Sequence, residues 1–334
     1  MKHLSILVTV FICVASVNSS AQQLGGTAGA FTRMGFGARG QGMGNAMTAV
    51  TTGSISTYYN PALAPFVKGY ALQGSYSFLA LDRKFNQISY SQNLILHRKG
   101  ATKFKDQPDV QSIAGLSIGW INSGDADIQG YNSDGVKTKT LSVFENQFFM
   151  SFGNRFSDRL SLGLNFKFYY SGLYEDVTSS GFGADLGALY AVTDELTLGL
   201  VIQELLTKYK WDTSVLYGSD YGNSTENPFA RIVRLGAAWQ LPSRYGVAAA
   251  DVELIDGKTA LARIGVEVQP MDQISFRAGL ERIDLSDKNI DPRPMFGFTV
   301  TQPVAQFVPS ITYAFILEPV APSNTHVLTF NLML

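Results

Sequence analysis

The sequence predicts an all-β protein, a transmembrane antiparallel β-barrel of about fourteen strands with an N-terminal hatch or plug segment. Three observations carry that expectation. Charged residues make up only 16% of the chain. Apolar and polar residues alternate with period two through most of its length. The connections between alternating segments fall into a long set and a short set.

The charge balance excludes several classes at once. The 334 residues carry 26 Lys+Arg and 27 Asp+Glu, a net charge of −1, so no basic surface exists for nucleic-acid phosphates. Soluble domains are about 25% charged, whereas this chain combines 16% charged with 46% hydrophobic and 12% aromatic residues. The single cysteine, Cys13, excludes a disulfide framework and a thiolate zinc site.

Residues 1–21 read as a signal peptide. Met1-Lys2-His3 is a short basic start, Leu4 to Ala15 is almost continuously apolar, and Ser19-Ser20-Ala21 supplies small residues before Gln22, the pattern of export and cleavage. The apolar run is too short to span about 30 Å of hydrocarbon. Ile12, before Cys13, is too large for lipoprotein cleavage. The expected location is the outer membrane of a Gram-negative bacterium.

Residues 22–66 form the expected glycine-rich hatch. Gly25-Gly26-Thr27-Ala28-Gly29-Ala30 leads into Gly35-Phe36-Gly37-Ala38-Arg39-Gly40-Gln41-Gly42-Met43-Gly44, and no Asp or Glu occurs from Gln22 through Leu81. Gly35, Gly37 and Gly40 spell G-x-G-x-x-G, but a dinucleotide site needs a preceding strand and an acid about twenty residues on. Dense glycine instead suits backbone packed inside a confined space. Ser54 to Tyr59 is expected to form a short helix stopped by Pro61.

Residues 67–334 are the expected barrel. Leu160, Leu162, Leu164, Phe166, Phe168 and Tyr170 share one face, and Ser161, Gly163, Asn165, Lys167, Tyr169 and Ser171 share the other. Such alternation marks a strand with one apolar face. Strands are expected near 69–80, 84–96, 111–121, 142–153, 160–171, 180–191 and 196–206. Seven more are expected near 229–241, 244–255, 258–270, 273–283, 293–302, 306–317 and 325–334. With the chain entering from the periplasm, the outer connections include the long 122–141 and 207–228, while the inner turns are short apart from 97–110. Long loops outside and short turns inside are the barrel pattern.

The polar faces carry lumen charges: Lys167, Arg234, Arg263 and Arg277 beside Asp185, Asp251, Glu253, Glu267 and Glu281. They nearly cancel, and Arg263/Glu267 with Arg277/Glu281 fall on adjacent strands. The expected role is a structural ion-pair ladder.

Catalytic and metal patterns are weak. Gly115-Leu116-Ser117-Ile118-Gly119 spells the nucleophile-elbow string but lies inside an alternating strand, without the required turn. His97 and His326 have no clustered carboxylates beside them in sequence. Asp125-Ala126-Asp127-Ile128-Gln129-Gly130 begins like a calcium loop, yet Val136 occupies its twelfth position, where the bidentate glutamate belongs. A weak calcium site in loop 122–141 stays open. The expectation is no enzyme activity, no cofactor and no metal site.

Gly37-Ala38-Arg39, Gly42-Met43-Gly44, Ala46, Ala49-Val50 and Tyr58-Tyr59-Asn60-Pro61-Ala62 resemble the entry segment of the PorV/PorQ family, which is related to FadL-type (OMPP1/FadL/TodX-like) transporters. Asn60-Pro61-Ala62 is similar to the Asn-Pro-Ala of the FadL-type hatch. Gly124 to Tyr131, Ser157 to Gly163 and Gly183 to Gly187 also resemble family blocks. Relatives often carry acidic residues where Thr51-Thr52-Gly53 stands, and the terminal Leu334 replaces the usual aromatic. The resemblance implies a hatch held by Gly37, Ala38, Arg39, Gly42, Gly44, Asn60, Pro61 and Ala62. It also implies one of two functions. The first is a component of type IX-like protein secretion that docks secretion proteins or cargo through loops 122–141 and 207–228. The alternative is a FadL-like channel for hydrophobic small molecules such as long-chain fatty acids.

Overall fold

Alternation in the sequence becomes one closed wall. The computed structural model describes residues 27–107, 109–174, 176–242, 245–286 and 290–334; the expected signal peptide lies outside them. The first strands are β1 (Tyr70–Phe78), β2 (Lys84–His97), β3 (Val110–Tyr131), β4 (Lys137–Arg155), β5 (Leu160–Tyr174) and β6 (Val177–Ala191). Then follow β7 (Leu196–Leu205), β8 (Lys208–Asp212), β9 (Ser224–Pro228), β10 (Ile232–Gln240) and β11 (Gly246–Ile255). The chain ends with β12 (Thr259–Met271), β13 (Ile274–Asp284), β14 (Arg293–Thr301), β15 (Val308–Ile316) and β16 (Thr325–Met333).

Fourteen of these close an antiparallel barrel in which β7 neighbours β10 and β1 pairs with β16. Closure is sealed by Tyr70 N to Leu334 O at 3.1 Å and Leu334 N to Tyr70 O at 2.9 Å, so no strand edge is left open. The outward face is apolar: Phe166, Phe182, Leu186 and Tyr190 are exposed, while Ser161, Asn165, Lys167 and Tyr169 turn inward and are buried. A closed wall with an apolar outer belt satisfies every backbone group in hydrocarbon. The protein is an outer-membrane β-barrel.

Three expectations need correction. Segment 122–141 is mostly strand: β3 runs to Tyr131, β4 starts at Lys137, and Asn132 Oδ1 accepts from Asp134 N at 3.0 Å and Val136 N at 2.9 Å to close the turn. Polar residues line these outer extensions, so hydrophobic periodicity gives no signal there. Asp125 to Tyr131 therefore belongs to a ladder, with Asp125 opposite Val143, rather than to the coil of a calcium loop.

Segment 207–228 also contains structure, the two-stranded sheet β8–β9, which is not a rung of the barrel ladder. The expected strand 229–241 begins at Ile232 because Phe229 turns into the lumen.

The helix expected over 54–59 is not formed. Helical turns occupy Ala30–Arg33, Gly37–Gly42 and Pro61–Phe66. Proline's fixed φ suits the first helical position, and the Asn60 side chain caps the last of these turns by accepting from Ala62 N at 3.0 Å. Pro61 starts a helical turn here instead of stopping one.

Candidate functional site

The hatch lies against a row of glycines. Gly115, Gly153, Gly163 and Gly187 are successive register partners across β3 to β6. Gly199 faces Gly236 across β7 and β10, and Gly265 faces Gly279 across β12 and β13. Each meets the hatch: Ala64 and Pro65 at Gly115, Pro61 and Pro65 at Gly153, Pro61 and Ala62 at Gly163, and Asn60 at Gly187. Thr48 lies on Gly199 and Gly236, and Met43 and Gly44 lie on Gly265 and Gly279. A β-carbon at any of these wall positions would fall within 3.0 Å of hatch atoms. Along this row the wall presents no side chain to the hatch.

Polar contacts fix the hatch around the circumference. Gln87 on β2 takes Gly37 N on its Oε1 and donates its Nε2 to Gly35 O, both at 2.7 Å. Ala38 N donates to Thr329 Oγ1 on β16 at 2.8 Å. Arg39 Nε and Nη2 reach the two carboxylate oxygens of Glu267 at 2.8 Å, while its Nη1 donates to Thr52 O and Ser54 O at 2.7 and 2.9 Å. Asn45 Nδ2 reaches Glu281 at 2.9 Å, and Thr48 Oγ1 donates to Asp251 Oδ2 at 2.7 Å. Asn60 Nδ2 donates to Thr48 O at 3.0 Å, tying the hatch to itself.

The lumen charges form three chains. Arg277 pairs with Glu267, which Arg39 also holds. Arg234 and Arg263 share Glu253, the latter at 2.8 Å, and Arg263 faces Glu281 at 3.4 Å. Arg293 continues from Glu281 at 3.0 Å to Glu318. On the opposite wall Lys167 Nζ lies 2.9 Å from Asp185 and 2.6 Å from Glu204. The pairs across β12 and β13 are Arg263 with Glu281 and Arg277 with Glu267, and the latter two are direct register partners. Buried charges held this way are tolerated only with partners and hydrogen bonds on both sides.

The wall from β2 to β6 is aromatic instead. Phe31, Phe36, Tyr58 and Tyr59 of the hatch pack with Phe85, Ile121, Phe149 and Tyr169 of the wall in one buried cluster. The β8–β9 hairpin closes it from outside. Tyr209 and Phe229 meet edge to face at 4.8 Å, and Phe229 meets Tyr169 at 4.8 Å. Lys210 N donates to Ser179 Oγ of β6 at 2.8 Å, holding the hairpin across the barrel mouth.

Beside this hairpin the wall steps down. Glu204 and Leu206 adopt left-handed φ of 61° and 63°, ending β7 and turning the Glu204 carboxylate inward to Tyr169 Oη at 2.9 Å. The step leaves a side cleft of about 940 Å³ bordered by Leu206, Phe229, Val233, Leu254 and Glu204. Val233 and Leu254 are register partners on the outward face. Phe229 and Glu204 thus border both the cleft and the interior cluster.

All eight hatch residues named from the sequence are buried, and the Gly44 backbone meets Ile264 and Leu280 of the wall. All nine lumen charges are buried and face inward. Sequence reasoning missed the glycine row, Gln87, Glu204, Arg293, Glu318 and Phe229. Glycine on the polar face of a strand was the one available signal for the row. Ser117 sits mid-β3 with its Oγ 2.8 Å from Ser91 Oγ, and no cluster of His, Cys, Asp and Glu able to hold a metal occurs among the described residues.

The sequence matches no family model and no curated protein. Solved structures do match. The Ralstonia pickettii toluene transporter TbuX aligns with a TM-score of 0.59 at 12% identity, over 89% of this chain and 97% of that one. The Pseudomonas putida toluene transporter TodX aligns at 0.56 and 13%, over 89% and 96%. The chain shares their fold. The monoaromatic hydrocarbon channel CymD follows at 0.54 and 15% identity, over 93% of this chain and 97% of that one.

Proposed function

We propose that this barrel is a non-enzymatic, FadL-like channel for hydrophobic small molecules. The observation that carries the reading is Phe229, which stands between an aromatic cluster inside the barrel and a side cleft where Leu206, Val233 and Leu254 lie among the charged Glu204, Lys208, Arg231 and Asp256. An apolar solute reaching the cleft displaces the Phe229 and Tyr209 rings, exchanges water for aromatic surface, and rests above the hatch. It passes downward when the hatch loosens its hold on the wall. The solved barrels of the same fold are named for toluene and monoaromatic hydrocarbons, which supports this solute class. In this reading Arg39, Asn60, Pro61 and Ala62 hold the hatch and do not touch solute.

The secretion reading drawn from the PorV/PorQ resemblance has less support. It has partners dock through segments 122–141 and 207–228, and within the second Tyr209 is buried in the barrel mouth. Uptake separates the two. Cells lacking other channels for such solutes are expected to accumulate labelled toluene or a labelled long-chain fatty acid faster when they express this chain. Uptake of both at the rate of vector-only cells, with stable secretion partners co-purifying from native membrane, would favour docking instead.

A further inference from the structure

One buried side chain in the aromatic wall has no use in the closed barrel. Gln147 on β4 is 0% exposed, and both its Nε2 and its Oε1 lack a hydrogen-bond partner among the described residues. Its register neighbours are Ile121 on β3 and Tyr169 on β5, both members of the cluster. Tyr169 does not serve it: that hydroxyl donates its proton to Glu204 at 2.9 Å and forms no hydrogen bond with the amide. A primary amide carries two donors and an acceptor, and leaving them unmade inside apolar packing is costly. A leucine of similar size would fill the same space without that cost.

The nearby charges define what the amide meets. Glu145 precedes Gln147 on the same face and takes the Tyr209 hydroxyl at 3.3 Å. Asp185 and Glu204 hold Lys167 at 2.9 and 2.6 Å, and Glu204 also lies within electrostatic reach of the hatch's Arg33. The balance is negative, which disfavours an anionic head group.

We infer that Gln147 is a specificity-determining contact of the lumen site, selecting neutral apolar molecules that carry a hydroxyl or carbonyl over pure hydrocarbons and carboxylates. The inference rests on the channel reading and narrows its solute class. When the hairpin withdraws, a trough of Phe85, Ile121, Phe149 and Tyr169 receives the apolar body of the solute. Gln147 then exchanges its unmade hydrogen bonds for one or two to the polar group. A site built to hydrogen-bond a hydroxyl rejects the analogue that lacks it far more strongly than an apolar pocket separates two hydrocarbons.

The test uses p-cresol and p-xylene, which differ by a hydroxyl in place of a methyl. Full-length protein in lipid nanodiscs is equilibrated with each labelled probe, with empty nanodiscs subtracting partition into lipid. The expected result is a preference of about tenfold or more for p-cresol, lost in Gln147→Leu through weaker p-cresol binding, with p-xylene binding unchanged or tighter. Heat-modifiable migration on a gel checks that the variant barrel is folded. If the preference survives Gln147→Leu, if both probes weaken together in the folded variant, or if the unaltered chain binds both without preference, this inference is overturned and the channel reading stands. If the unaltered chain binds neither probe, both are overturned.

Discussion

Arg39 grips Glu267 with two parallel hydrogen bonds, Nε to Oε2 and Nη2 to Oε1, each 2.8 Å long. The same guanidinium donates Nη1 to the carbonyls of Thr52 and Ser54, so one side chain joins the helix Gly37–Gly42, the following hatch turn and the β12 wall. Removing one partner of a buried pair costs about 3–5 kcal/mol. Arg39→Ala is expected to lose stability of that order in denaturant titrations in lipid vesicles, and to expose hatch peptide bonds to protease. Arg39→Lys is expected to recover little, since a single ammonium cannot reproduce the planar fork. Full stability in Arg39→Ala would show that the hatch is held elsewhere.

The glycine row makes a second expectation. Gly163→Ala and Gly187→Ala drive a methyl into Pro61–Ala62 and Asn60, and overpacking of this kind costs about 1–3 kcal/mol. Gly74, with no atom within 4 Å of a built β-carbon, is the control; its replacement by Ala is expected to be neutral or stabilising by about 0.5–1 kcal/mol. Equal effects at Gly74 and Gly187 would mean that loss of glycine, and not the hatch contact, sets the response.

Asn60 combines two tasks, capping the turn Pro61–Phe66 through Oδ1 and donating Nδ2 to Thr48 O. Asn60→Asp keeps the acceptor and loses the donor, whereas Asn60→Ala loses both. The cap alone is worth about 1 kcal/mol, so Asn60→Ala is expected to fall below the native protein by more than that amount. Hydrogen exchange at Ala62 N reads the cap directly, and its protection should vanish in Asn60→Ala alone if the Asp rotamer is retained.

The outer hairpin has a measurable charge pair. Lys208 Nζ lies 2.7 Å from Glu226 Oε2, and this hydrogen bond first, then the lysine charge, hold the Glu226 carboxyl below its ordinary 4.5. A carboxylate depressed on folding adds stability above its ordinary pKa and loses it as pH falls through the lowered value. Both side chains are about half exposed, so the contribution is small and screened by salt. Lys208→Ala is expected to return Glu226 toward 4.5, followed by carboxyl-carbon NMR titration. An unchanged titration would mean that β8 and β9 do not pair in this way.

Much of the fold is legible because lipid imposes one rule on every wall residue. Period two marks the wall from Leu160 to Tyr170 as clearly as from Leu328 to Leu334, since each outward position faces hydrocarbon. The β8–β9 hairpin escapes that rule: Tyr209 and Trp211 alternate over only five residues and pack on the lumen. The hatch escapes it too, because Asn60 and Pro61 act through a cap and a fixed φ. Lumen charges can be listed from the sequence, but their partners cannot. Arg39 reaches Glu267 across 228 positions, a contact set by barrel closure.

Transport in this account requires the hatch to loosen from the wall, and a reversible tether tests that requirement most directly. Ser54 Oγ sits 3.3 Å from Asn331 Oδ1 on β16, and the chain's single cysteine is Cys13, in the expected signal peptide. Ser54→Cys with Asn331→Cys therefore adds one oxidisable pair between hatch and barrel. Uptake of labelled toluene by cells carrying this variant is expected to drop to background on oxidation and to recover with reductant. Undiminished uptake, with the tether shown closed on a non-reducing gel, would contradict passage past a moving hatch.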